Sequence, residues 1–119
     1  MITQDIDLKP VKQLEVIGNF IGKTPLFPIS KIQKNSKVKI FAKLEWQQLG
    51  GSVKARPAFN IIKEAVLNGD LTSEKRLLDA TSGNTGIAYA AIGAALGIKV
   101  SICLPENASE ERKSILTAY

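Results

Sequence analysis

The stretch RLLDATSGNTGIAYAAIGAALGIKVSICLP, residues 76–105, decides the fold. Arg76 to Ala80 is a short strand candidate. It runs into a polar turn, Thr81-Ser82-Gly83-Asn84-Thr85-Gly86, and that turn opens a helix. From Asn84 to Leu96 the helix carries Ala88, Ala90, Ala91, Gly93, Ala94 and Ala95. Such a thin helix can approach a sheet closely and be covered on most sides. Gly97 closes it. Ile98, Val100, Ile102 and Leu104 then share one face of an alternating run, which Pro105 ends. Strand, helix, strand is the βαβ pattern of a parallel pair.

Upstream, Lys37–Glu45 also alternates. Val38, Ile40, Ala42 and Leu44 fall on one face, with Lys39, Lys43 and Glu45 on the other, which predicts a strand with one buried face. Gly50-Gly51 stops it. A helix is expected from about Ser52–Lys54 to Asn68, with Phe59, Ile62 and Val66 joined by Ala55, Ala58 and Ala65 in one apolar stripe. Pro57 has no N–H and belongs in the first turn, so the regular helix starts close to Lys54. Asn68-Gly69 supplies its stop. Residues 1–24 read as an arm with a short amphipathic piece near Leu14–Phe20, and Pro25 and Pro28 hold Leu26-Phe27 extended.

Downstream, Ser109-Glu110-Glu111-Arg112 opens a last helix, with serine as cap and two acids in its first turn. Ile115, Leu116 and Tyr119 form an apolar stripe with nothing further in the chain to cover it. The pattern as a whole is α/β with a mostly parallel sheet, cut within a larger αβ fold. Residues 1–36 read as an arm that would join a larger domain. Residues 37–119 read as a small α/β domain, incomplete at its C-terminus. In such sheets ligands bind beyond the carboxyl ends of the strands, where both glycine-rich turns sit.

Composition narrows the function. The 119 residues are 45% apolar and 23% charged, with a formal net charge of +5. The lysines are scattered and aromatics are few, so the basic balance suits anionic small molecules and not nucleic acid. No apolar run is long enough to span a membrane. The first seven residues carry two acids and no basic n-region, so they are no secretory signal, and the cytoplasm is the default expectation. There is no histidine, which excludes Ser-His-Asp and Cys-His sites and any zinc site that needs histidine. No metal site is expected. The single cysteine, Cys103, lies in the alternating run and is expected in the core. Gly22-Lys23-Thr24 has the ending of a P-loop, but Ile17 stands where the first glycine is required and Pro25 follows at once.

Two turns carry chemistry. The first is Gly50-Gly51-Ser52-Val53-Lys54-Ala55-Arg56-Pro57. A helix start disfavours a cation by about 0.3–1 kcal/mol. The neutral amine favoured there is the form that attacks a carbonyl to make a Schiff base. By itself the turn reads first as a solvated lysine after a glycine turn. The second is the turn at 81–86, where hydroxyls, an amide and free backbone N–H groups converge at a positive helix end suited to a carboxylate or phosphate. By itself it also reads as a polar turn with a helix cap.

Together, Ile21-Gly22-Lys23-Thr24-Pro25-Leu26, Gly50-Gly51-Ser52-Val53-Lys54, Thr81-Ser82-Gly83-Asn84-Thr85-Gly86 and Leu104-Pro105-Glu106-Asn107-Ala108-Ser109 resemble the cysteine synthase family of fold-type II pyridoxal-phosphate (PLP) enzymes. The resemblance runs through nearly the whole chain, and it rests on the order and spacing of four motifs. It implies the small domain of the tryptophan synthase β-like fold. It implies that Lys54 carries PLP as an imine and takes the substrate α-proton, and that Asn84 hydrogen-bonds the ring oxygen of the cofactor. It implies that Thr81, Ser82, Gly83 and Thr85 hold the substrate carboxylate. The reaction implied is β-replacement on an O-activated serine such as O-acetylserine, with sulfide as the second substrate and cysteine as the product, in a homodimer. Gln48-Leu49 stands where the family often has Asn-Pro, and Ala55 where Asp often follows the lysine. The glycine-rich loop that cradles the PLP phosphate in the family has no counterpart among these motifs. Cystathionine β-synthase-like or O-phosphoserine sulfhydrylase activity stays open, as does a non-catalytic truncated product.

Overall fold

The computed structural model describes residues 8–32, 34 and 37–119. The first seven residues of the predicted arm and Ser36, at its predicted boundary, lie outside the described residues. In chain order the elements are α1 (Leu8–Gly18), β1 (Leu26–Ile29), β2 (Ile40–Lys43), α2 (Ala55–Leu67), β3 (Arg76–Ala80), α3 (Asn84–Leu96), β4 (Lys99–Cys103) and α4 (Glu110–Ala118).

The centre is the βαβ unit the sequence predicts. β3 and β4 pair in parallel, in register from Arg76 opposite Lys99 to Ala80 opposite Cys103. The backbone N–H of Thr81 extends the ladder by one step, donating to the carbonyl of Cys103 at 3.2 Å. α3 crosses between the two strands and packs on β4 at close range. A Cβ on Gly93 would meet Val100 Cγ2 at 2.4 Å. Small residues on α3 therefore set the helix-to-sheet distance.

α2 and α1 complete the packing around α3. Leu14 and Ile17 of α1, Ala58, Ile62 and Val66 of α2, and Ala88, Tyr89, Ile92 and Leu96 of α3 form one buried cluster. These sets recur every three or four residues, the spacing that puts side chains on one helix face. Ile62 and Ile92 are fully buried, each contributing about 1.5–3 kcal/mol by leaving water. α2 stops at Asn68, followed by Gly69 at φ 75°. α4 is capped by Ser109, whose Oγ accepts from the backbone N–H of Arg112.

Three expectations are corrected. The strand predicted over Lys37–Glu45 is shortened to Ile40–Lys43 and is not in the parallel sheet: it pairs antiparallel with β1, Leu26 opposite Lys43. Its supposed inner face is largely open, with Val38 47% and Ile40 36% exposed. Alternation reports that a strand forms but not which edge it pairs with. The amphipathic piece near Leu14–Phe20 belongs to a helix that starts earlier and ends at Gly18. Cys103 is exposed, not in the core: on β4 it alternates away from the face that α3 covers. No helix among the described residues is long and apolar enough to cross a membrane.

Candidate active site

Lys54 is the N-cap of α2, with φ −69° and ψ −17°. Its side chain is exposed, and its backbone N–H donates to Ser52 Oγ at 3.2 Å. The preceding glycines, Gly50 and Gly51, sit at φ 83° and 65°, the left-handed region that favours glycine. Gly50 also needs to be bare: a Cβ there would lie 3.2 Å from the Cα of Ala88. The turn that carries Lys54 thus rests directly on α3. Ala88 is four residues after Asn84, one turn along the same helix face. The contact brings the two glycine-rich turns of the sequence together.

The second turn is built at the carboxyl end of β3. Gly83 N–H donates to Thr81 Oγ1 at 3.3 Å. Gly83 is the N-cap of α3 and offers no side chain to close the first turn. The opening N–H groups of a helix lack intrahelical partners, and no acid stands in the first turn of α3. Thr81, Ser82, Gly83 and Thr85 are half-buried around this positive end, and Asn84 is exposed. This arrangement is suited to an anion by geometry and field together.

One cluster escaped the sequence reading. Glu45, just beyond β2, receives four hydrogen bonds on its carboxylate. Oε1 accepts from Thr24 Oγ1 at 2.7 Å and Arg56 Nη2 at 2.9 Å. Oε2 accepts from Gln48 Nε2 at 2.8 Å and Arg56 Nε at 2.9 Å. Gln48 Oε1 in turn accepts from the N–H of Gly22 at 2.9 Å, and Lys43 Nζ donates to the Thr24 carbonyl. The Arg56 fork, then the Thr24 hydroxyl, holds the Glu45 carboxyl down from 4.5 to about 2, against partial desolvation. The same pair pushes the Arg56 guanidinium up. One signal was available: Arg56 is a second cation in a first turn that contains no acid, so its counter-charge had to come from elsewhere.

Residues 17–119 match the family model described as pyridoxal-phosphate dependent enzyme. The chain belongs to that family. It is 46% identical over 111 residues to the cysteine synthase of Aquifex aeolicus, covering 91% of this chain and 34% of that protein. Among solved structures it resembles a hydrogen sulfide-producing enzyme of Fusobacterium nucleatum, with a TM-score of 0.82 and 38% identity over 87% of this chain and 34% of that one. It also resembles the cysteine synthase of Entamoeba histolytica, with a TM-score of 0.78 and 37% identity over 86% of this chain and 31% of that one. The chain spans about a third of the length of these relatives.

The residues present fit part of such a cofactor. Lys54 offers a primary amine with no hydrogen bond from Nζ to a described residue, and the turn at 81–86 offers donors for an anionic group.

Proposed function

We propose that this chain supplies the amine and the carboxylate grip of a PLP-dependent cysteine synthase, acting on an O-activated serine such as O-acetylserine with sulfide. The observation that carries the reading is the seating of Gly50 on Ala88, which sets the Lys54 turn against the first turns of α3. Kinship with cysteine synthases supports the choice of substrate class.

PLP, when bound, supplies the electron sink that makes the substrate α-proton removable. The residues of the chain do the rest. Lys54 would hold the cofactor through Nζ, and the same nitrogen can accept the substrate α-proton. Thr81, Ser82 and Thr85, with the N–H groups that follow Gly83, hold the substrate carboxylate and so fix the α-carbon. Asn84, exposed at the start of α3, would offer its side-chain amide to the cofactor ring. The reading includes a homodimer in the cytoplasm, with residues 1–36 as an arm onto a larger domain. Resemblance alone supports these last points.

The test is trapping. Protein is mixed with PLP and reduced with borohydride, and the labelled peptide is identified by mass spectrometry. Label concentrated on Lys54 and lost in Lys54→Ala supports the reading. Label spread evenly over the lysines, unchanged by that substitution, sinks it. The 119-residue chain alone is expected to hold PLP weakly, so trapping on Lys54 is expected to be selective but low in yield, with little turnover. Product analysis with O-acetylserine or O-phosphoserine plus sulfide separates the leaving groups. Offering cysteine in place of the two substrates tests for sulfide release, the activity for which the Fusobacterium nucleatum neighbour is named.

A further inference from the structure

The Lys54 turn is held at both ends by one carboxylate. Gln48 immediately precedes residues 49–55, and Arg56 immediately follows them. Both donate to the same Oε2 of Glu45, at 2.8 and 2.9 Å. The other oxygen reaches into the turn at 22–24 through the Thr24 hydroxyl, which also accepts from Arg56 Nη2 at 3.3 Å. Thr24 is buried. That third turn is strained: Lys23 stands at φ 52°, the sole left-handed residue other than glycine among the described residues. Strained backbone of this kind persists where its surroundings over-determine it. Here Gln48 fixes Gly22, and Lys43 holds the Thr24 carbonyl.

Charge and shape agree. Glu45 has its lone-pair sites filled by four donors, and Arg56 presents its planar fork in the bidentate geometry that lysine cannot reproduce. Lys54 itself is exposed, and its Nζ makes no hydrogen bond to another described residue. Its position is therefore set through its backbone, by whatever fixes the turn.

We propose that Glu45 is a positioning residue for Lys54, with Gln48 and Arg56 as the two arms through which it acts. The inference rests on the reading of Lys54 as the cofactor lysine and deepens it. An amine displaced by about 1 Å from its attack geometry loses up to about a hundredfold in rate. The Glu45 clamp is what prevents that displacement.

The test uses the full chain and reads site selectivity beside activity. Wild type, Glu45→Gln, Gln48→Ala and Arg56→Lys are each mixed with PLP and reduced with borohydride. The share of label on Lys54 is compared with that on exposed lysines such as Lys63 and Lys75. Glu45→Gln and Arg56→Lys are each expected to lower the Lys54 share about tenfold or more, with labelling of Lys63 and Lys75 unchanged. Arg56→Lys keeps the charge and loses the fork, so a merely neutralising role predicts wild-type selectivity for it. Wild-type selectivity in Arg56→Lys and Glu45→Gln overturns the proposal. If Glu45→Gln fails to fold, Gln48→Ala decides: it releases one arm and leaves the ion pair intact, and an unchanged Lys54 share in it overturns the proposal. A wild type that shows no preference for Lys54 defeats the cofactor reading instead, which keeps the two failures apart.

Discussion

Glu45 at about 2 makes the clamp sensitive to acid in one direction. Its folded-state carboxyl gives up its proton more readily than the unfolded one near 4.5, so between those values the unfolded chain binds more protons. The stabilisation is complete above the unfolded value and fades as pH falls toward 2. Glu45→Gln is expected to flatten that part of the stability profile while leaving its slope near neutrality alone. Urea midpoints measured from pH 6 down to pH 2.5 check this, and parallel profiles for the two proteins count against the clamp. Gly50 offers a second residue-level test. Gly50→Ala sets an L-residue at φ 83° and puts a methyl 3.2 Å from the Ala88 backbone. The left-handed backbone alone costs about 1–2 kcal/mol. Because backbone cannot step aside as a side chain can, a total loss of about 2 kcal/mol or more is expected, read as a lower urea midpoint at unchanged slope. Residues of the two turns were legible because glycines, hydroxyls and a lysine at a helix start speak through local geometry. Glu45 and Arg56 were not, because they meet across eleven positions through a turn whose path no short pattern encodes.

The βαβ element was readable because each of its signals is local. β3 and α3 fall where the pattern put them, and β4 differs only at its ends. Cap, period and stop all lie within the segment they define, and Gly97 closes α3 at φ 69°. The partner of β2 was not readable, since strand pairing is a long-range choice. α3 itself supplies the prediction at this scale. Gly93→Ala improves intrinsic helix propensity by about 0.8–1 kcal/mol. The added methyl would lie 2.4 Å from Val100 Cγ2 and 3.2 Å from the Ile98 carbonyl oxygen. Val100 is β-branched and stiff, so relief requires α3 to lift from β4. Overpacking of this kind costs about 1–3 kcal/mol. The clash outweighs the propensity gain, and a net loss of about 1 kcal/mol is expected in the urea midpoint. A stabilised Gly93→Ala would mean that α3 does not lie this close to the sheet.

At the scale of the molecule the chain is extended. Its radius of gyration is 17.8 Å, against about 13.5 Å for a compact domain of this length. Its extents are 64 × 37 × 20 Å. Among the described residues the two-stranded β1–β2 ribbon makes no substantial contact with another helix or strand, and it joins the body through the Glu45 cluster and the neighbouring turns. Leu26, Phe27 and Phe41 stay open on it. A two-stranded ribbon is marginal in water without a further apolar surface, and strand alternation in the sequence does not disclose which faces of a ribbon are covered. Trp46, the one tryptophan of the chain, stands at the root of this ribbon and is 63% exposed. Its fluorescence therefore reports directly on whether the ribbon is solvated. In dilute solution the 119-residue chain is expected to emit at the red, water-exposed end of the tryptophan range and to be quenched readily by acrylamide. If the open apolar faces associate, emission moves to the blue and quenching falls as concentration rises, because burial against another molecule follows mass action. Blue, protected emission that persists unchanged on dilution would mean that the ribbon folds back onto its own chain, and the extended arrangement would then be wrong.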